Sequence, residues 1–308
     1  MGDSPNLTGS RVGIEISNET LNAVVVDQND KIVVTRAVEL VDGEDGVDGL
    51  RSLVAGLKDE VGGFASVGIA VPGLVDHATG RVAFSAHIPK HSNIDLASDL
   101  KATTGVDVVL ENDANAAAYA EYRLGAGRGS RNIFYATLGE GVGGCFIFDG
   151  EVWRGASGFA GEFGYVPINS EGTRLEEVAS AANIIRRTRS RFHQDSTSSL
   201  KKLSEEAISL KEIIAAAARD DDFAQMMLVR TGTYVGTAIA SVINLLNVEK
   251  IIVGGEIMQA KQLVLEAIIE RARELSFSPS FDSTAIVAGD LGSHAPAIGA
   301  ALISALAD

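Results

Sequence analysis

Asp113 is the residue of this chain best placed to do chemistry. It follows the apolar run Val108-Val109-Leu110, within the stretch Glu-Asn-Asp-Ala-Asn-Ala-Ala-Ala at 111–118. The alanine-rich segment from Ala114 to Leu124 reads as a helix, ended in the usual C-terminal way by Gly125. A strand that hands an acid to a helix N-terminus holds it at a sheet edge, where α/β proteins place their ligands. A carboxylate fixed there can take a proton from a hydroxyl within hydrogen-bond reach. The plainer reading makes Asp113 an N-cap that satisfies the first N–H groups of the helix.

Two glycine-rich stretches strengthen the chemical reading. One is Thr137-Leu138-Gly139-Glu140-Gly141-Val142-Gly143-Gly144, and the other is Gly-Ala-Ser-Gly-Phe-Ala-Gly-Glu-Phe-Gly at 155–164. In the second, Gly158, Gly161 and Gly164 surround Glu162, which implies close backbone approach and favours a functional role over a solvated turn.

These residues need elements to hold them. Three β-like runs open the chain, Val12–Ile16, Leu21–Asp27 and Lys31–Val38, with a turn at 27–30 between the last two. A helix over Gly46–Val61 follows, then a buried strand Ser66–Val71 that ends in Pro72-Gly73. A helix over Leu96–Thr104 precedes the strand that leads to Asp113. From Asn132 the pattern begins again with β-like runs at Ile133–Leu138, Cys145–Asp149 and Glu151–Arg154, and Asp149-Gly150 is a strong hairpin signal. Helices are then expected over Glu177–Arg191, Leu210–Arg219, Asp222–Asn247 and Lys261–Leu275. Strands Lys250–Val253, ending in Gly254-Gly255, and Thr284–Ala288 fall among them. The small, apolar helix Ala295–Leu306 is suited to packing back onto another domain. Two successive blocks that each begin with three β runs suggest a duplicated α/β architecture. We divide the chain into a disordered lead at 1–10, a small N-terminal domain at 11–115 plus 295–308, and a large C-terminal domain at 116–294.

With 308 residues, 46% of them hydrophobic, the chain can bury two cores. No apolar run reaches the length of a membrane span, and the polar opening is unlike a signal peptide. A lone cysteine, Cys145, excludes an internal disulfide and a cysteine-rich zinc site and suggests a reducing cytoplasm. The 41 acidic and 26 basic residues give a net charge of −15, which argues against non-specific binding to nucleic acid or to anionic membrane. An anionic cosubstrate then needs local positive potential or a metal ion. The five histidines (His77, His87, His91, His193 and His294) lie apart and form no ready-made metal cluster.

Taken together, the three blocks at 111–118, 137–144 and 155–164 resemble the ROK family of bacterial sugar kinases, open reading frames and repressors. The similarity spans nearly the whole chain. It implies an actin-like, hexokinase-like α/β fold of two ribonuclease-H-like domains around a central cleft, and commonly a homodimer. The resemblance makes Asp113 the general base that takes the proton of the sugar 6-hydroxyl as that hydroxyl attacks the γ-phosphate of ATP. It makes Asn112, Glu162 and Glu176 ligands of the sugar hydroxyls, with Glu177 beside Glu176 leaving a one-residue slip open. Gly73 joins the sugar-binding set, and His91 lies near the family's sugar-contact loop, around 90–94, where the pattern fades. On the nucleotide side it assigns Glu15 to magnesium, Gly139, Gly141 and Gly143 to the phosphates, and Gly254 and Gly255 to the adenosine. The small-residue stripe Gly232, Gly236 and Ala240 suits close packing, either with a neighbouring copy or inside its own domain.

Two departures from the family pattern stand out. Many members carry a zinc held by one histidine and three cysteines between the sugar-binding glutamates. Here 164–175 contains no cysteine, and Tyr165 replaces the histidine, so no zinc is expected. Tyr165 keeps a hydroxyl that can donate to a sugar, although an ordinary packed tyrosine explains it equally well. The family's Asp-x-Gly-Gly-Thr phosphate loop reads Glu15-Ile16-Ser17-Asn18-Glu19, and Glu140 takes a threonine's place in the second loop. Two added negative charges oppose a polyphosphate by several kcal/mol, an order-of-magnitude figure, unless a cation intervenes.

Two functions are therefore expected. The first is an ATP- and magnesium-dependent hexose kinase of glucokinase type. The alternative is a sugar-sensing regulator or pseudokinase with impaired ATP binding. The ten or so residues before the first strand leave no room for the winged helix of the repressor branch, so direct DNA binding is not expected.

Overall fold

The computed structural model of the chain describes residues 9–17, 20–40, 46–76, 79–84, 95–195 and 197–306. Most of the disordered-lead assignment, and the expectations for Asn18, Glu19, His77, His87, His91 and 90–94, therefore lie outside the described residues. Within the lead, Ser10 is buried, and its carbonyl accepts the Ala65 N–H at 2.7 Å, so the ordered chain begins before residue 11.

The chain divides into two compact units. One comprises the described parts of Met1–Arg128, Val152–Ala160 and Ser293–Asp308, and the other Gly129–Glu151 and Gly161–Gly292. The first contains β1 (Arg11–Ile16), β2 (Thr20–Val26), β3 (Ile32–Glu39), α1 (Gly46–Val61), β4 (Ser66–Val71), β5 (Leu74–Asp76), β6 (Arg81–Phe84), α2 (Leu96–Thr104), β7 (Asp107–Asn112) and α3 (Asp113–Leu124). The second unit continues with β8 (Ile133–Leu138), β9 (Val142–Phe148), the first residue of β10 (Glu151–Trp153, whose other two residues count with the first unit), α4 (Glu176–Ala179), α5 (Ala181–Arg189), α6 (Leu210–Ala217), α7 (Asp222–Leu246), β11 (Lys250–Gly254), α8 (Gln262–Leu275), α9 (Ser278–Asp282) and β12 (Ala285–Ala288). Helix α10 (Ala295–Ile303) returns to the first unit.

The two five-stranded sheets share one topology. Their strand orders are β3-β2-β1-β4-β7 and β10-β9-β8-β11-β12. In each, the strand that opens the block (β1 or β8) pairs antiparallel with the next strand and parallel with one that follows a helix. Central β4, Ser-Val-Gly-Ile-Ala-Val, is buried at every position, as a parallel strand covered on both faces must be. The hairpin turn at Asp149-Gly150 has φ of 53° and 89°, the left-handed backbone that a tight two-residue hairpin requires.

Helix α10 lies directly on its sheet because glycines remove the intervening side chains. A Cβ on Gly13 would fall 1.8 Å from the Ala297 carbonyl oxygen, and one on Gly68 1.9 Å from that of Ala300. On its other side, a Cβ on Gly299 would fall 1.7 Å from the Ala116 oxygen of α3. This stack groups α3 with the first unit, a different division from a boundary at 115/116.

Several local expectations change. Asn112, with φ −63° and ψ 143°, caps α3 by accepting the Asn115 N–H at 3.0 Å, so the N-cap is not Asp113. Gly125 is not left-handed (φ −108°); a Cβ there would displace the Glu121 carboxylate, which accepts the Ala126 N–H at 2.9 Å. The helix expected over 177–191 breaks at Ser180, whose extended backbone (ψ 156°) separates α4 from α5. Helix α7 is long and apolar enough, by length and composition, to cross a membrane, contrary to the expectation that no run would be. Its apolar window is 61% buried within the protein, which makes it a core helix. The Gly232–Gly236 stripe packs on α8 of its own unit, where added Cβ atoms would meet the Val264 and Ile268 carbonyl oxygens at 2.7 and 2.6 Å.

Gly299→Ala should destabilise the protein by about 3 kcal/mol or more in urea unfolding, because backbone on neither side can yield. Gly56→Ala, on α1 with open space around it, should instead stabilise by about 0.5–1 kcal/mol.

Candidate functional site

The first unit places its site residues at the junction of β7 and α3. The Asn112 Nδ2 donates to the Gly73 carbonyl at 2.9 Å and to the Asp113 Oδ1 at 3.0 Å. That Oδ1 also accepts the Ala114 N–H at 2.8 Å. Asp113 is thus held at the first turn of α3, where the helix dipole and free N–H groups favour a carboxylate. Gly73 has φ 137°, a conformation that glycine takes readily, and its carbonyl is engaged by Asn112.

Beneath them lies Glu111, which sequence reasoning left without a role. Its side chain is 1% exposed. The Glu111 Oε1 accepts the Asn112 N–H at 2.9 Å and the Asn115 Nδ2 at 3.0 Å, and its Oε2 accepts the Arg154 guanidinium. The available signal was an acid placed directly after a buried apolar run, which demands a partner.

In the second unit the first glycine stretch is a hairpin turn rather than one long loop. Gly143 already sits in β9, opposite Thr137, and a Cβ on Gly144 would strike Phe134 and Phe163 at 2.8–2.9 Å. Only 139–141 form the turn, closed by the Gly139 N–H to the Gly141 carbonyl at 3.0 Å. The Ala181 N–H donates to the Gly139 carbonyl at 2.8 Å, and the Glu176 Oε2 accepts the Val142 N–H at 2.9 Å. Of the adjacent glutamates, Glu176 therefore faces this hairpin, whereas exposed Glu177 accepts the Arg174 N–H at 3.1 Å.

Glu162 lies near Glu176. Desolvation first, and repulsion from Glu176 second, push its carboxyl above the ordinary carboxylate range. Its position depends on Gly161, at φ 97°, where a Cβ would fall 2.2 Å from the Gly144 carbonyl oxygen.

Residues 165–175 are tied by protein contacts. Pro167 and Arg174 form a β-bridge, the Ile168 N–H donates to the Thr173 carbonyl at 2.9 Å, and the Leu175 N–H donates to the Val166 carbonyl at 3.0 Å. The Arg174 guanidinium stacks on the Tyr165 ring, 4.4 Å from its centroid, while the residue is 57% exposed. The residues here do not fit a zinc ion, since they include no histidine or cysteine.

On the nucleotide side, the Glu15 Oε2 accepts the Asn22 Nδ2 at 3.0 Å across the β1–β2 pair. Among described residues, a Cβ on Gly139 would meet only the Glu256 Cγ, at 3.7 Å, so the backbone there is open to an approaching group. Glu140 and Glu256 are exposed nearby in sequence and turn. Gly254 and Gly255 have a packing reason of their own, since added Cβ atoms would fall 2.3 Å from the Tyr135 hydroxyl and from the Leu138 carbonyl oxygen.

Comparison with known proteins agrees with this architecture. A glucokinase of Thermotoga maritima is 34% identical over 307 residues, covering 95% of this chain and 96% of that protein. A xylose repressor of Bacillus subtilis is 27% identical and covers 94% of this chain and 76% of its own length. The crystal structure of a ROK family glucokinase from Streptomyces griseus, in complex with glucose and AMPPNP, superposes with a TM-score of 0.87. It is 30% identical and covers 97% of this chain and all of that one.

The protein has the actin-like, hexokinase-like α/β fold. Its residues 11–306 match the ROK family profile, and the chain belongs to that family.

The raised Glu162 carboxyl carries a consequence for stability. An acid whose folded pKa lies above its unfolded value opposes folding at higher pH, and the penalty disappears as the pH falls below the unfolded value. Glu162→Gln should therefore raise the urea midpoint at pH 7.5 and leave it unchanged at pH 4.

Proposed function

We propose that this protein is an ATP-dependent hexose kinase of glucokinase type, with Asp113 as general base. The observation that carries this reading is the Asp113 carboxylate, oriented by the Ala114 N–H and the Asn112 amide at the first turn of α3. The similarity to glucokinases at 30–34% identity supports it.

In this reading Asn112, Glu162 and Glu176 bind the ring hydroxyls, and Tyr165 presents its exposed hydroxyl to the same sugar. Asp113 accepts the 6-hydroxyl proton. A bond forms from the sugar oxygen to the γ-phosphorus, the bond to the β-phosphate oxygen breaks, and ADP departs. Bound magnesium-ATP supplies the phosphoryl group and the cation that balances its charge. Glu15 offers a carboxylate to magnesium, the open turn 139–141 offers backbone to the phosphates, and Gly254-Gly255 borders the adenosine. We place this activity in the cytoplasm, in a homodimer without direct nucleic-acid binding, as the resemblance implies.

A sugar sensor without turnover is the second reading. The Val142 N–H, at the start of β9 beside the glycine turn, is taken by Glu176, and Glu140 adds negative charge to that turn. The similarity to a xylose repressor points the same way.

An isotope-labelled ATP assay against glucose, mannose, fructose and N-acetylglucosamine separates the two. Turnover should appear with at least one sugar, and Asp113→Ala should lower kcat by about 10³-fold. Wild-type turnover no faster than that variant, with tight sugar binding by calorimetry, would establish the sensor instead.

A further inference from the structure

We propose that Glu111 and Arg154 are a positioning pair for the catalytic junction, a role that rests on the kinase reading above. Hydrogen bonds run from the Arg154 guanidinium to the Glu111 carboxylate and from the Asn112 backbone N–H to that same carboxylate, and the covalent frame of Asn112 carries the link to its side-chain amide, which donates to the Asp113 carboxylate. The same Glu111 oxygen that accepts the Asn112 N–H also accepts the Asn115 side chain, one turn into α3. Asn115 in turn gives its own N–H to the Asn112 Oδ1. One buried carboxylate therefore sets both the backbone at which β7 becomes α3 and the side chain that orients the base.

A purely stabilising purpose is a poor account of this arrangement. The Glu111 carboxylate is buried while the Arg154 side chain is 34% exposed, and an ion pair whose acid loses its water is often no better for stability than apolar residues of similar volume. What an ion pair adds is direction. The Glu111 acceptors are divided, one oxygen towards the asparagines and the other towards Arg154. A glutamine at 111 cannot reproduce that division. If its oxygen keeps Asn112 and Asn115, its NH₂ group faces the guanidinium, donor against donor. If it turns over, the asparagines lose their acceptor. Either way the Asn112 backbone and the Asp113 carboxylate are released from one geometry.

The test uses the full chain and four proteins: wild type, Glu111→Gln, Asp113→Asn and the double variant. Arg154→Gln is added to Glu111→Gln as a second version, in which the amide oxygen introduced at 154 can accept from the NH₂ introduced at 111, so kcat should recover most of the loss, and a loss as large as in the single variant overturns the proposal. With magnesium-ATP and the hexose of highest turnover, Glu111→Gln should lower kcat by about tenfold to a hundredfold, the scale set by small misplacements of a reacting group. In the Asp113→Asn background the same change should alter residual turnover by less than about twofold, because the effect passes through Asp113. An unchanged kcat, or an equal loss in both backgrounds, overturns the proposal. Should wild type be no faster than Asp113→Ala, the kinase reading fails separately, and the pair is judged on amide exchange. The Asn112 N–H should then exchange at least about tenfold faster in Glu111→Gln than in wild type, and an unchanged rate overturns it.

Discussion

A helix can lie directly on a sheet only where side chains between them are missing, and in the first unit glycine meets that condition at three points. Gly13 and Gly68 let the backbone of α10 settle against β1 and β4, and Gly299 lets α3 settle against α10. Sheet, terminal helix and α3 are then separated by little more than backbone contact. Interiors packed this closely transmit displacement instead of absorbing it. The end of β7 and the start of α3 are therefore held from two sides, and that junction carries Asn112 and Asp113. Helix α10, distant in sequence, is a structural support of the helix that begins at Asp113.

The charges in each unit are handled differently. In the first, Glu111 is buried and its carboxylate is matched by Arg154 and two asparagine donors. Removing one member of such a pair typically costs about 3–5 kcal/mol. In the second, burial first and the charge of nearby Glu176 second raise the Glu162 carboxyl. Acids held near each other are suited to sharing hydroxyl donors, because each hydroxyl relieves part of the repulsion. Glu176 already uses one oxygen on the Val142 N–H, which joins it to the hairpin turn of 139–141. The carboxylate beside Glu162 and the glycine turn in this unit thus share a hydrogen bond.

Packing explains several glycines that sequence similarity alone would give to a ligand. Gly144, Gly161, Gly254 and Gly255 each have a backbone oxygen or an aromatic side chain where a Cβ would stand. Gly139 is different, because the space beside it is open apart from the Glu256 side chain. A glycine-rich motif therefore mixes positions that shape the turn with positions that leave room for a partner. Only neighbours distant in sequence tell them apart.

Much of the fold was legible in the sequence. The apolar run of β4 was located to the residue, the helical segments α1 and α2 were located closely, Asp149-Gly150 located a hairpin, and the repeated opening pattern exposed the duplicated topology. The family blocks carried Asn112, Asp113 and Glu162. The hairpin of β5 and β6 went unseen, since its strands are short and its stability comes from pairing rather than from local pattern. Local signals determine which segments become strands and helices, because propensity, alternation and turn chemistry act over a few residues. Tertiary structure alone decided that Asn112 caps α3 while Asp113 does not, that Glu176 faces the hairpin while Glu177 faces solvent, and that Glu111 meets Arg154 across 43 positions. The cap is a bond over three residues, but the Asn112 amide is also held by the Gly73 carbonyl, and the Glu176 and Glu111 contacts join partners 34 and 43 positions apart. The position of such a distant partner is fixed by how sheets and helices pack, which no short stretch of residues encodes.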